Sequence, residues 1–446
     1  MTQKDKVVFS WCMYDWANSA FATTVLAAVL PVYFASLVPE GGVTFHLSGL
    51  AFTASGTGLW GYAVSSSLLV TALCAPVLGA LADHTRSKKK FLLAFTVLGS
   101  VCSCLFYLVG ERDWLLCLLL FVCANIGFAG GMPFYDGFLP EIASAEEIDW
   151  VSGKGYAYGY AGGGILLALH FVLIAFHGSF GIPERSISIR ISLGSVGLWW
   201  AVFAVPLFLW VPEVGKDRKP PPRFSYVRYG FTRFVRTVKS FRSYRDLLWF
   251  LVAFLVYNDG IQTVIAMAAI FGKTALGLDT TTLIGTLLMI QFIALPGALV
   301  FAKLARRIQA KKAIVVTLAL WTGLVTYAYF ITTPLEFWIL GGAVGLILGG
   351  SQALSRSLYG QLIPRDRPAE FYGFFTISAK FASVLGPLSF GLVSDLSTSP
   401  RNAILSILVF FAAGLMLLSR VDVDRGLRVA KEDALEKEAN MARSPL

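Results

Sequence analysis

Twelve apolar stretches dominate this sequence, each near or above the ~20 residues a helix needs to cross the ~30 Å hydrocarbon layer of a bilayer. They run approximately 10–37, 59–81, 91–109, 114–139, 155–177, 192–211, 247–271, 281–301, 313–332, 335–363, 371–394 and 402–419. Lipid offers no partner to a backbone N–H or C=O, so stretches of this kind fold as helices. The remainder of the 446 residues cannot cover a globule, because 56% are hydrophobic, 14% are charged and the mean hydropathy is +0.68. The expectation is an all-α polytopic membrane protein with twelve transmembrane helices. The first stretch, from about Val7 to Leu37, is far longer than the ~7–15-residue core of a cleaved signal and reads as a retained span.

An even number of spans leaves both ends on one side. With the N-terminus inside, the inner segments hold 30 Lys and Arg, while the outer loops hold Arg112, Arg185, Arg190, Lys273 and Arg401. Arg356 and Lys380 fall within spans. This positive-inside bias accounts for the net charge of +10 without a nucleic-acid partner and puts both termini in the cytoplasm. Cys12, Cys74, Cys102, Cys104, Cys117 and Cys123 sit in apolar runs without a C-x-x-C pair and read as small buried hydrophobes. His46, His84, His170 and His177 are isolated from one another and from cysteine, so no metal and no cofactor is implied.

The longest internal loop, 212–246, divides the chain into an N-terminal six-helix bundle (1–211) and a C-terminal one (247–419), followed by a cytoplasmic tail (420–446). The loop opens with Lys216-Asp-Arg-Lys-Pro-Pro-Pro222, a stiff polar linker. Phe224, Val227, Phe231, Phe234, Val238 and Phe241 then recur at helical spacing among Arg228, Arg236, Lys239 and Arg242. That pattern suits either an interfacial helix on an anionic leaflet or a solvated basic linker.

The halves look duplicated. Gly79-Ala-Leu-Ala-Asp83-His-Thr-Arg86-Ser-Lys88-Lys89 aligns at an offset of 223 with Ala302-Lys-Leu-Ala-Arg306-Arg-Ile-Gln-Ala-Lys311-Lys312. Asp15-x-x-Asn18 and Asp259-x-x-Gln262 each place a carboxylate and an amide one turn apart, in the first span of each half.

Gly79-x-Leu-Ala-Asp83 with its trailing bases resembles the loop 2–3 signature of the major facilitator superfamily. Tyr14-Asp-Trp-Ala-Asn-Ser-Ala-Phe21, Tyr257-Asn-Asp-Gly260 and Gln352-Ala-Leu-Ser-Arg-Ser-Leu358 resemble its "unknown major facilitator" branch, which is similar to the fungal autophagy-related vacuolar amino-acid effluxers. The resemblance implies two six-helix bundles and transport of amino acids or similar small metabolites. It also implies a gating motif in which Gly79 permits close helix approach and Asp83 pairs with basic or helix-terminal groups, beside Arg86 and Lys88. The second copy departs from the signature, with Ala302 for the glycine and Arg306 for the aspartate.

Ionisable groups near the bilayer centre cost roughly 2.5–3.5 kcal/mol each and normally face a partner or a wet cavity. Asp259 is about twelve residues into span 7, beside Tyr257, Asn258 and Gln262. Low dielectric favours a protonated carboxyl, so Asp259 is a candidate for a coupling proton or a cationic substrate group; the alternative is a fixed ion pair with Arg356 or Lys380. Gln352 and Arg356 share a face of span 10, where Arg356 either clamps a substrate carboxylate or snorkels to the inner surface. Lys380 suggests a cavity or an ion pair. Asp15 and Asn18 are candidates too, with capping at the interface beside Trp11 and Trp16 as the plainer account. Asp136 and Tyr135, at the inner end of span 4, read as water-facing or as an inner gate. Pro387 after Gly386 marks a kink in span 11.

The expected function is secondary transport of a small polar solute by alternating access, with a coupling proton, by a monomer in the bacterial inner membrane. No G-x-x-x-x-G-K-[ST] loop suggests ATP drive. A drug or metabolite efflux permease is the near alternative, and a membrane-embedded enzyme or a channel the distant ones.

Overall fold

In a computed structural model the described residues are 2–39, 41–47, 50–213, 232, 235–237, 243–382, 385–397 and 400–443. Helix α1 (Gln3–Ala20) starts at a capping box in which Thr2 and Asp5 satisfy each other's backbone N–H. It runs into a π-helical segment, Phe21–Ala28, where Val29 N–H reaches Thr24 O at 2.8 Å. Pro31 cannot continue that ladder, and α2 (Leu30–Leu37) leaves at 44° to the preceding helix. A hairpin of β1 (Val43–Leu47) and β2 (Leu50–Ala54) follows, which the sequence reading did not anticipate.

The first half continues with α3 (Gly56–Thr85), α4 (Lys88–Leu105), α5 (Trp114–Asp136), the single turn α6 (Leu139–Ile142), α7 (Ile148–Ala175) and α8 (Arg185–Trp210). The second half comprises α9 (Arg245–Leu276), α10 (Thr280–Ile308), α11 (Ala310–Phe330), α12 (Pro334–Leu362), the pair α13 (Pro368–Phe381) and α14 (Leu385–Ser397), and α15 (Pro400–Ser419). A last helix, α16 (Val423–Arg443), occupies what the sequence suggested was only a tail. Among the described residues, eleven helices are long and apolar enough to cross a membrane, and twelve when the bent pair Gln3–Ala28 and Leu30–Leu37 counts as one span. Each expected span has its helix. Several extend past the apolar window, as α7 does by starting at Ile148 rather than near 155, because helical ends carry polar side chains beyond the hydrocarbon.

Span 11 is two helices. The sequence placed a kink at Gly386-Pro387; the break comes earlier, after Phe381, and Pro387 lies in the first turn of α14, where its missing N–H costs nothing. Of the linker pattern, Phe224, Val227, Phe231, Phe234, Val238 and Phe241 lie outside the described residues. Two further expectations are corrected. Cys74 and Cys104 lie exposed on their helices rather than buried, and Trp11 is fully buried rather than anchored at an interface.

Contacts group the chain into two compact units. The first comprises residues 1–74, 89–132 and 158–212; the second comprises 75–88, 133–157 and 213–446, and so includes the C-terminal ends of α3 and α5 and the start of α7. In the first unit Trp200 packs on Phe21 and Phe128, and Tyr14 meets Thr96 at 3.0 Å. In the second, Phe375 stacks on Phe254 and Tyr359 at 4.3 and 4.9 Å. Helices α10 and α12 approach through glycine: a Cβ on Gly345 would lie 2.9 Å from Ile290 O.

Candidate functional site

Among the described residues the second unit holds every buried Asp, Glu, Lys and Arg except Asp15. Pro368 opens α13 without an N–H, so Ala369 and Glu370 bring the first free donors. Asp83, at the end of α3, takes both: Oδ1 accepts from Ala369 N at 3.2 Å and Oδ2 from Glu370 N at 2.8 Å. A negative group on a helix N-terminus is favourable both as a cap and through the helix dipole. Gly79, one turn earlier, makes the approach possible, since a Cβ there would sit 2.5 Å from Ala369 O and 2.9 Å from Glu370 Cα. Arg86 donates to Glu213 O, and buried Lys88 pairs with Glu141 over the Phe138 ring.

Arg356, on α12, is 1% exposed. Its Nη1 lies 3.3 Å from Asp136 Oδ1, Nε donates to Ser152 Oγ at 3.0 Å, and Nη2 donates to Ser152 O at 2.9 Å. Its guanidinium stacks over Tyr156, 4.2 Å from the ring centroid. Tyr372 O–H donates to Arg356 O at 3.0 Å. Two of the sequence alternatives for Arg356 therefore change: it does not snorkel, and its carboxylate partner is Asp136 rather than Asp259. Asp136 in turn is 4% exposed, not water-facing. Ser152 and Tyr156 carried no sequence signal, as neither is costly to bury.

Along α9 the Tyr257 hydroxyl meets Ser355 Oγ at 2.6 Å, and Asn258 Nδ2 reaches Ala379 O at 3.5 Å. Asp259 is 1% exposed. Its Oδ1 accepts from Gly386 N at 2.9 Å, in the first turn of α14, and among the described residues Oδ2 has no hydrogen-bond partner. The two helices of span 11 thus each have a first-turn N–H held by an acid from another span. Gln262, Gln352 and Lys380 are half-buried. In the first unit Asp15 is buried and Asn18 Nδ2 faces Met132 Sδ at 3.4 Å. The cavity of about 50 Å³ among Val264, Phe271, Trp321, Val344, Phe390 and Ile404 is lined by apolar side chains only and offers nothing to a polar solute.

A family model described as "Vacuole effluxer Atg22 like" matches residues 3–431. The chain belongs to that family. Among its Atg22-like relatives, the MFS-type transporter YxiO of Bacillus subtilis is 33% identical over 95% of this chain and 96% of its own length. Autophagy-related protein 22 of Coccidioides immitis is 26% identical over 97% of this chain and 89% of its own. Among solved structures, FucP, an MFS transporter crystallised in the outward conformation, superposes with a TM-score of 0.69 at 13% identity, covering 95% of this chain and 99% of FucP. A bacterial homologue of the iron transporter ferroportin gives 0.64 at 14% identity, covering 94% and 99%. The Atg22-like chain therefore has the major facilitator fold, and it is a multi-pass membrane transporter.

Proposed function

We propose that this Atg22-like protein carries a small polar solute, an amino acid or a similar metabolite, by alternating access, driven by a proton taken up at Asp259. The observation that carries the reading is the Asp259 carboxylate: buried within a span, held on one side by Gly386 N–H, and unpartnered on the other among the described residues. An anion so placed is costly, and a proton removes the cost. Neutralisation also weakens the attraction to the start of α14, because a helix N-terminus favours negative charge. Proton binding and the grip of α9 on α14 are thereby linked, and linkage works in both directions.

In this reading Asp15, Asn18, Tyr257, Asn258, Gln262, Gln352 and Lys380 take part in binding the solute or its proton. The basic loops face the cytoplasm of a bacterial cell, and the protein works as a monomer. The Asp83 cap on α13 and the Arg356–Asp136 pair hold the inner mouth shut and part when it opens. A latch must release within each cycle, and a two-bond cap worth on the order of 1 kcal/mol is suited to that.

The test begins with a thermal-shift screen of the purified protein against amino acids, peptides, sugars and nucleosides, since a ligand stabilises the folded state by mass action. Solutes that bind are then followed into proteoliposomes under an imposed pH gradient. Wild type should accumulate solute with the gradient, whereas Asp259→Asn should exchange it without accumulation. Gradient-driven uptake by Asp259→Asn equal to wild type overturns the proton site, and no flux of any stabilising solute overturns the transporter reading.

A further inference from the structure

The Asp83 cap depends on how the start of α13 is held, and α13 is held from a second direction. Arg367, the residue before Pro368, sends Nη1 to Thr237 Oγ1 at 3.4 Å and Nη2 to Tyr244 Oη at 3.3 Å. Its guanidinium lies 5.3 Å from the Phe371 centroid. The Thr237 hydroxyl donates to Glu370, a fully buried carboxylate whose N–H is one of the two that Asp83 accepts. Burial pushes the Tyr244 hydroxyl well above its ordinary range, so it stays a neutral partner for Arg367. Two carboxylates lie beside Arg367: its neighbour Asp366, with Oδ1 3.7 Å from Nε, and Asp433 of α16, with Oδ2 3.7 Å from Nη2.

Helix α16 is itself anchored. Arg425 makes a two-bond fork with Asp246, Nε to Oδ2 at 2.6 Å and Nη2 to Oδ1 at 2.7 Å. Asp246 Oδ1 also accepts from Asp422 N at 2.9 Å. A Cβ on Gly426 would lie 2.6 Å from Leu362 Cδ2, so the helix lies directly on the end of α12. Lys311 Nζ donates to Val421 O at 2.6 Å and Ser419 O at 3.3 Å, fixing the turn from which α16 starts. The helix and the turn before it therefore touch the adjoining ends of α9, α11, α12 and α13.

We infer that α16 is an intramolecular strap that sets the strength of the Asp83 cap, with Arg367 as the positioning residue that passes its docking to the first turn of α13. Docked, the strap holds Arg367, and Ala369 and Glu370 N–H stay aimed at Asp83. Released, Arg367 loses Asp433, the first turn of α13 is freer to swing, and the cap opens more often. The strap thus gives the chain's own tail control over how readily the inner mouth parts. The inference rests on the cap acting as a latch in the proposed cycle, but its test reads the cap directly and needs no transported solute.

Hydrogen–deuterium exchange of the purified full chain, followed at 366–374, is that test. Arg425→Ala should speed exchange at Ala369 and Glu370 at least threefold, and ending the chain after Asp422 should speed it at least as much. Arg425→Lys, which keeps a charge for Asp246, should stay closer to wild type than to Arg425→Ala, which a general loss of stability would not predict. Asp83→Ala, which removes both acceptors, supplies the rate of an opened cap. Exchange in Arg425→Ala equal to wild type overturns the strap, and so does Arg425→Lys exchanging as fast as Arg425→Ala. If the shortened chain does not purify, the two Arg425 variants decide the matter alone.

Discussion

Arg356 and Asp136 carry opposite charges in surroundings where neither can be left alone. Removing one partner of a buried pair strands the other, at roughly 3–5 kcal/mol, whereas replacing both with apolar groups is often close to neutral. Asp136→Asn should therefore lower the thermal midpoint in detergent by more than the double change Asp136→Leu with Arg356→Met. Equal losses would mean that the ion pair is not what these residues contribute. Gly79 and Asp83 were readable because a compact sequence motif carries them. Asp136 was half readable: an inner gate was one of its two readings and an exit to water the other, but nothing in a linear sequence brings it to an arginine on α12. Ser152 and Tyr156 were silent for a further reason: serine and tyrosine recur in apolar runs without marking a site.

Among the elements, the helices were legible from apolar length alone, while their interruptions were not. The π-segment of span 1 is tied to α7 and α8 by one histidine. Ser195 Oγ donates to Ser192 O at 2.8 Å, so it accepts a hydrogen bond from His170 Nε2 at 2.8 Å, and Nδ1 then accepts from the Thr24 hydroxyl at 3.1 Å. His170 is 3% exposed and wholly satisfied as a neutral ring. His170→Phe should leave the buried Thr24 hydroxyl short of a partner, costing about 1–3 kcal/mol, and His170→Gln less, read as shifts in thermal midpoint. Equal shifts would show that only ring volume matters. The break in span 11 was half legible: Gly386-Pro387 announced a disruption, but an acid in another span, Asp259, marks where the second helix begins. The helical form of α16 escaped notice because it lies outside the apolar windows and its residues are mostly polar.

On the scale of the whole molecule, the duplicated loops are unequal. Where Asp83 sits on the start of α13, the equivalent Arg306 lines a cavity of about 370 Å³ with Glu146, Asp149, Gln309, Lys311 and Gln361. Close approach persists behind it, since a Cβ on Gly153 would lie 2.5 Å from Ala302 Cβ and 3.0 Å from Ala298 O. The second loop thus has neither the signature glycine nor the acid, and Arg306 cannot accept the hydrogen bonds such a cap needs. Asp83→Ala should cost about 0.5–2 kcal/mol as a lost helix cap, while Arg306→Ala, bordering open space, should fall within about 0.5 kcal/mol of wild type. Comparable costs for both would mean that the halves are latched alike. The positive-inside count could not have revealed this difference, because it weighs the bases of a loop without regard to what they touch.

A guanidinium keeps its proton at any pH a cell meets. If the mouth at Arg356 parts, the arginine cannot shed its charge, so that charge must be met by solvent. Opening there is then also a hydration step. Large inert polymers that draw water from crevices they cannot enter should slow the cycle in proportion to osmotic pressure, and should do so much less once Arg356 and Asp136 are both made apolar.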